Sequence, residues 1–133
     1  MNTADDLASL GLSMIVDEAP EIALRCAASR IYYAAYHICK QQADTHCTPL
    51  RESDKDGQGL HAQLFKRLSE NSKSAKLDEL LATLAQSALK MKTIRIDADY
   101  KLEKDFRKKH ADRCSGLLDE VKELCGEIAE AAA

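Results

Sequence analysis

Apolar residues recur at the three- and four-residue spacing of an α-helix along most of the chain, which predicts an all-α protein. The helical segments fall at 4–17, 21 to about 42, 60 to about 70, 75 into the stretch 91–106, and about 100–130. Thr3 suits the N-cap of the first segment and Pro20 the first turn of the second. Between 43 and 59 the chain holds Pro, Ser, Asp and two Gly without a sustained period, so we expect a loop there.

The second segment is apolar nearly all round. One stripe of mostly small residues permits close helix approach: Leu24, Ala27, Ala28, Ile31, Ala34, Ala35 and Ile38. Two further stripes carry polar tips: Arg25, Ser29, Tyr32, Tyr36 and Lys40, and then Arg30, Tyr33 and His37. We expect this helix at the centre of the fold, with its hydroxyl and guanidinium groups bonded internally or facing a partner. For His37 a packed role is favoured over a catalytic one, and His61 is interpreted as a capping or surface residue.

The stretch 91–106, MKTIRIDADYKLEKDF, combines apolar periodicity with dense opposite charges. The inner stripe that leads into it consists of Leu77, Leu80, Leu81, Leu84, Ala88 and Met91. Continuing this spacing by four places Arg95 on the same buried face, where an unpaired guanidinium would be costly. Arg95 therefore needs an anionic partner: Asp97 or Asp99, a residue of another subunit, or a phosphate. We also expect Asp99 to be the N-cap of the last helix, which begins near Tyr100.

Length and composition limit the class of protein. The 133 residues fit one domain, and five scattered Cys indicate free thiols in a reducing cytoplasm. No Cys or His spacing suggests a metal site, and we predict no cofactor. The start of the chain lacks the pattern of a secretion signal, and its longest uncharged helical run is too short to span a membrane. We therefore expect a cytoplasmic protein with no membrane partner.

The net charge of −3 conceals a basic zone. Between positions 90 and 109 there are eight Lys and Arg against four Asp and Glu. Such a zone in an acidic protein could attract phosphate, although a solvated helix face gives the same pattern.

Three segments resemble the small stand-alone prokaryotic HEPN proteins. They are RCAASRIYYAAYHICK, GLHAQLFKRL and IRIDADYKL, and the resemblance covers most of the chain in order. It implies an up-and-down four-helix bundle with an additional short helix, commonly paired as a homodimer. It also implies an RNA-acting protein, or the partner of a nucleotidyltransferase antitoxin, in a toxin–antitoxin, defence or stress system.

The nuclease members of this family carry Arg-x(4–6)-His at the dimer interface and cut RNA without metal. Arg95 matches the Arg, but positions 100, 101 and 102 are Tyr, Lys and Leu, so the motif His is missing. A tyrosine hydroxyl is a poor general base near neutral pH unless its surroundings change this, so Tyr100 is a weak substitute for the missing His. His110 or His37 could approach Arg95, although each suits packing better. Arg95 could stabilise the charge of a phosphorane, but the proton acceptor is not supplied by the motif.

Two hypotheses follow for the function. In the first, the chain is an RNA-associated protein, with a metal-independent endoribonuclease as one form. Its candidate catalytic residues are Arg95, Asp97, Asp99, Tyr100 and His110, and its candidate binding residues are Arg30, Tyr33, His37, Lys101 and Lys104. In the second, it is a non-catalytic module that binds a nucleotidyltransferase or another partner, with Arg95 in a structural ion pair. Some relatives are nucleotidylated on a tyrosine beside the motif, which makes Tyr100 a candidate for modification.

Overall fold

The computed structural model describes residues 2–133, and in this range its regular secondary structure is helical, with no β-strand. The helices are α1 (Ala4–Ser13), α2 (Glu21–His46), α3 (Glu52–Lys55), α4 (Leu60–Glu70), α5 (Asp78–Tyr100) and α6 (Lys108–Ala132). A 3₁₀ turn, Ala75–Leu77, leads into α5. The prediction of an all-α helical bundle is confirmed.

The central element is α2, as its apolar circumference predicted. It packs against α1, α4, α5 and α6, and the three long helices α2, α5 and α6 contact one another. Close approach of α1 depends on Gly11, because a Cβ there would lie 2.8 Å from Ile31 Cγ1 and 2.9 Å from the Ala27 carbonyl oxygen. Within residues 2–133, no helix is long and apolar enough to cross a membrane.

Several helix ends differ from the sequence prediction. α1 ends at Ser13 and not near 17, and α2 continues four residues beyond 42, to His46, with Ala43 fully buried. The predicted loop 43–59 therefore begins later and contains the single-turn α3. α4 spans the predicted residues.

The predicted start of the last helix is wrong. Asp99 does not cap it: Asp99 and Tyr100 form the last turn of α5, and α6 begins only at Lys108. The physical reason is a contact between distant parts of the chain. Arg25 of α2 donates from Nη1 to the carbonyl oxygens of Asp97, Ala98 and Lys101 at 2.9, 3.0 and 3.3 Å. The carbonyls of Asp97 and Lys101 also accept the backbone N–H groups of Lys101 and Lys104 at 3.2 and 3.0 Å. The Ala98 carbonyl has no other donor among the described residues, so Arg25 caps this end of α5 together with the backbone.

Arg25 also fixes the connection between α5 and α6. Its Nη2 donates to the carbonyl of Lys104, and its guanidinium lies 5.4 Å from the centre of the Phe106 ring. Glu21 holds Arg25 from the preceding turn at 2.8 Å and accepts the Phe106 N–H at 3.1 Å. The junction that the sequence suggested as a helix start is therefore a linker held by α2.

Candidate functional site

Arg95 lies on the seam of α5 that continues from Met91, as predicted, and its side chain is 13 % exposed. Its Nε is 2.9 Å from Oδ2 of Asp99, an ion pair in which the buried N–H does not point directly at the carboxylate. Its Nη2 donates to the Tyr33 hydroxyl at 2.8 Å and, more weakly, to the Tyr100 hydroxyl at 3.4 Å. Within residues 2–133, Nη1 donates no hydrogen bond.

Aromatic rings surround the Arg95 guanidinium. Its Cζ is 5.9 Å from the ring centre of Tyr32, 5.1 Å from that of Tyr33 and 5.2 Å from that of Tyr100. A cation in such contact is attracted by the negative ring faces. Burial acts to lower the pKa of Arg95, but Tyr33, Tyr100 and Asp99 outweigh it and hold that pKa above its ordinary value. Arg95 is therefore a permanent cation.

Asp99 is itself held by α2. Ser29 donates its hydroxyl to Oδ2 of Asp99 at 3.0 Å, and the Asp99 side chain remains 28 % exposed. The Ser29 and Tyr33 contacts tie the end of α5 to the middle of α2. Asp99 thus neutralises Arg95 only in part and orients it.

His61 is the site residue that the sequence interpretation missed. Its ring lies among the tyrosines of α2: its centre is 4.5 Å from that of Tyr36, 5.6 Å from that of Tyr32 and 5.8 Å from that of Tyr33. The interpretation as a capping or surface residue is therefore wrong. The available signal was position, because His61 precedes Leu64, Phe65 and Leu68 by three, four and seven residues and so shares the inner face of α4.

Tyr32 and His61 form a short hydrogen bond, with the hydroxyl 2.5 Å from Nδ1. Burial raises the pKa of Tyr32 well above its ordinary value, so the hydroxyl keeps its proton. Burial, together with Lys92 and Arg95, lowers the pKa of His61, so its ring is neutral at pH 7. His61 is the only hydrogen-bond partner of the Tyr32 hydroxyl within residues 2–133, and we assign Tyr32 as donor to Nδ1. The proton of His61 then resides on Nε2.

Arg30 and Tyr33, two of the predicted binding residues, belong to the site. The Arg30 guanidinium lies 5.8 Å from the centre of the Tyr33 ring, the same ring that contacts Arg95. Tyr100 is also present, with 68 % of its surface exposed beside Arg95.

Other predicted site residues lie apart from Arg95. Asp97 pairs with Lys101 at 3.3 Å and with Lys104 at 3.5 Å, on the linker held by Arg25. His110 accepts the Arg107 N–H at 2.9 Å and packs on Phe106, so it caps α6. The expectation that His110 could approach Arg95 is not met.

His37 also fails to reach Arg95. Its exposed side chain borders a cavity of about 250 Å³ beside the start of α1, and its ring contacts Tyr36 edge to face. The histidine close to the Arg95 site comes instead from α4.

Within residues 2–133, no group of three or more His, Cys, Asp or Glu is placed to hold a metal ion. The fold and site define an all-α bundle with a part-buried cationic centre lined by tyrosine. Comparison of the chain with protein-family models, with curated proteins and with solved structures finds no match.

Proposed function

We propose that this chain is a HEPN-type RNA-associated protein, of the kind found in toxin–antitoxin, defence or stress systems, and that Arg95 holds a phosphate group of the RNA. The main support for this proposal is that the Arg95 guanidinium has hydrogen-bond donors that the protein does not use. Its Nη1 is uncommitted, and its Nη2 bonds two tyrosine hydroxyls rather than a carboxylate. A phosphate oxygen can replace a hydroxyl at Nη2 and accept from Nη1 at the same time, which is the bidentate geometry that guanidinium favours.

Tyr100 supports an RNA ligand over an isolated anion. Its ring is exposed beside the guanidinium, and its hydroxyl is only 3.4 Å from Nη2. Proteins that bind single-stranded nucleic acid combine a cation for the backbone with an aromatic ring on which a base stacks. Arg95 and Tyr100 supply these two elements side by side.

The proposed activity is binding without cleavage. Cleavage of RNA without metal requires a group that removes the 2′-hydroxyl proton. The nearest imidazole is that of His61, but its Nδ1 accepts from Tyr32 and its Nε2 carries the proton, so neither nitrogen of the neutral ring is free to act as a base. His61 is part-buried and its ring contacts those of Tyr32, Tyr33 and Tyr36, which supports a role in positioning these tyrosines.

The test is binding of a single-stranded RNA of about ten nucleotides, measured by fluorescence anisotropy over a range of salt concentrations. Arg95→Ala should weaken binding by about ten- to hundred-fold and reduce the salt dependence by about one phosphate contact. Tyr100→Ala should weaken binding with little change in that slope. Arg51→Ala removes an exposed arginine that forms no ion pair and serves as the matched control.

The same samples test for cleavage, since intact RNA after prolonged incubation agrees with the proposal. Cleavage that is lost in Arg95→Ala would instead support the endoribonuclease form, and His61→Gln would then identify its base. Equal RNA affinity of the wild type and Arg95→Ala would contradict the proposal itself.

A second function is favoured by the surface around Tyr100. Tyr100 and Leu102 are 68 % and 67 % exposed, and both stand at the end of α5. An exposed tyrosine hydroxyl next to a cation suits contact with, or modification by, a nucleotidyltransferase partner. In this alternative the Arg95–Asp99 ion pair and the Ser29 contact act as a structural latch between α2 and α5.

Co-expression with a nucleotidyltransferase distinguishes the two functions. The alternative predicts a stable complex, or an added nucleotide in the intact mass that disappears in Tyr100→Phe. An unchanged mass and no complex would exclude this alternative for the nucleotidyltransferase tested. The result of the RNA-binding assay would not be affected.

A further inference from the structure

The part-buried cations that lack an acidic partner gather around the Tyr33 and His61 rings. Among residues 2–133, eight of the nineteen Lys and Arg form no ion pair. They are Arg30, Arg51, Lys73, Lys76, Lys90, Lys92, Lys109 and Arg113. Six of these are exposed to solvent, where an unpaired charge costs little. Only Arg30 and Lys92 are part-buried.

Arg30 is the more unusual of the two. Its Nε is buried and has no hydrogen-bond acceptor among the described residues. Its guanidinium instead rests 5.8 Å from the Tyr33 ring centre, while that of Arg95 lies 5.1 Å from the same centre. Two guanidiniums therefore share one ring. A buried donor without an acceptor is destabilising, and a ligand can remove that cost.

Lys92 adds a third cation from α5, three residues before Arg95. Lys92 and Arg95 both reinforce the effect of burial in lowering the pKa of His61, so the fields of both reach that ring. Against Arg30, Lys92 and Arg95 stands one carboxylate in contact, that of Asp99. The site thus carries more positive charge than its own residues neutralise.

We propose that this site takes a phosphate monoester, such as the terminal phosphate of an RNA or a free mononucleotide, in preference to an internal phosphodiester. The inference rests on the proposed function and names its ligand chemistry. A monoester carries about −1.5 to −2 charges at pH 7, against one for a phosphodiester. The second negative charge matches the cations left unpaired by Asp99, and the third terminal oxygen gives the Arg30 guanidinium an acceptor. An internal phosphodiester has only two non-bridging oxygens and one negative charge, so it offers these cations fewer acceptors and less charge than a monoester does.

The test compares unlabelled RNAs of one sequence as competitors of an internally labelled RNA. Their ends carry a 3′-phosphate, a 5′-phosphate, a methyl-esterified phosphate or only hydroxyls. The proposal predicts that one phosphate-ended RNA binds about ten-fold more tightly than the hydroxyl-ended one, in line with one added charge-assisted contact. The methyl ester should lose this advantage because it keeps the shape and removes a charge. Equal affinity of all four ends would overturn the proposal.

Variants assign the preference to Arg30. Arg30→Gln should reduce the advantage of the phosphate end to about two-fold or less, and Arg51→Gln should leave it unchanged. Arg30→Lys serves as a second variant in case Gln impairs folding, with circular dichroism and thermal unfolding as checks on both. An undiminished preference in folded Arg30→Gln and Arg30→Lys would remove Arg30 from the site and contradict the inference.

The experiments distinguish failure of the proposed RNA association from failure of the monoester inference. If Arg95→Ala abolishes RNA binding but the end group has no effect, RNA association stands and the monoester inference falls. If no RNA binds, the thermal unfolding midpoint with adenosine 5′-monophosphate, inorganic phosphate or adenosine decides. Stabilisation by the first two but not by adenosine would retain a monoester site for free ligands and reject the RNA function, and no stabilisation would reject both.

Discussion

Two arginines, Arg25 and Arg95, connect α2 with α5, but their guanidinium groups donate to different kinds of acceptor. The Arg25 side chain is 5 % exposed, and its donors go to backbone carbonyls at the end of α5 and to Glu21. Arg95 is 13 % exposed, and its donors go to the hydroxyls of Tyr33 and Tyr100. One guanidinium is fully committed to the chain, whereas the other keeps Nη1 uncommitted.

The difference separates a structural from a ligand-binding arginine. Among the described residues, the carbonyls of Ala98 and Lys104 have no hydrogen-bond donor other than Arg25, so moving Arg25 away would leave both unsatisfied in the folded state. Tyrosine hydroxyls can turn to water when a phosphate displaces them, because Tyr33 is part-buried and Tyr100 is exposed. Burial of an arginine therefore indicates less about its role than the identity of its acceptors does.

The largest expected effect comes from removing the committed arginine. Arg25→Ala should lower the free energy of unfolding by about 2–4 kcal/mol, because it leaves the carbonyls of Ala98 and Lys104 without a hydrogen-bond donor. Urea unfolding followed by circular dichroism measures this. The exposed, unpaired Arg113 provides the control, since Arg113→Ala should change stability by about 0.5 kcal/mol or less. A loss below about 1 kcal/mol for Arg25→Ala would contradict the structural role of Arg25.

The second prediction is that substitution of Arg95 affects ligand binding more than stability. Arg95→Ala should lower the free energy of unfolding by about 1–2 kcal/mol, less than Arg25→Ala, because it loses the contacts with the tyrosine rings while the partly exposed Asp99 keeps its bond to Ser29. Its RNA affinity should nevertheless fall by about 1–3 kcal/mol. Unfolding and anisotropy measured on the same preparation test both halves. A large stability loss with unchanged RNA affinity would make Arg95 a latch like Arg25.

The sequence predicted helices better than it predicted their ends and contacts. The period of α4 and the buried position of Arg95 follow from local spacing, which a single sequence contains. The end of α5 depends on Arg25, more than seventy residues away in the chain, so the local cap signal at Asp99 was overridden. His61 was misinterpreted for a related reason, because its partner Tyr32 is 29 residues away on another helix.

The third prediction concerns the neutral imidazole beside Arg95. His61→Phe should lower the free energy of unfolding by about 1 kcal/mol at pH 7, because the buried Tyr32 hydroxyl loses its hydrogen-bond acceptor. The depressed pKa of His61 also makes stability depend on pH. The unfolded chain takes up the proton near the ordinary value of 6.5, and the folded chain only at lower pH. The stability that the neutral His61 contributes is therefore fully present above pH 6.5 and is lost as the pH falls towards the pKa of His61 in the folded protein.

Thermal unfolding between about pH 7 and pH 5 measures that dependence. The His61→Phe protein should lose less stability than the wild type as the pH falls through this range. His37→Phe changes an exposed histidine near α1 and should retain the dependence of the wild type. Parallel curves for the wild type and His61→Phe would show that burial and the nearby cations Lys92 and Arg95 do not hold the His61 ring neutral.

The smallest effect is expected at Asp97, which follows Arg95 by two residues but contacts neither Arg25 nor Arg95 through its carboxylate. Its side chain pairs with Lys101 and Lys104, whose side chains are 45 % and 53 % exposed, and such pairs contribute little. Asp97→Asn should change the unfolding free energy by about 0.5 kcal/mol or less, since Arg25 uses only the Asp97 carbonyl, which the substitution preserves. Denaturant midpoints at low and high salt measure this, and Asp99→Asn is the matched variant. Asp99→Asn should instead raise the affinity for phosphate, because it removes the carboxylate that contacts Arg95. Equal phosphate affinities of Asp97→Asn and Asp99→Asn would contradict this difference between the two carboxylates.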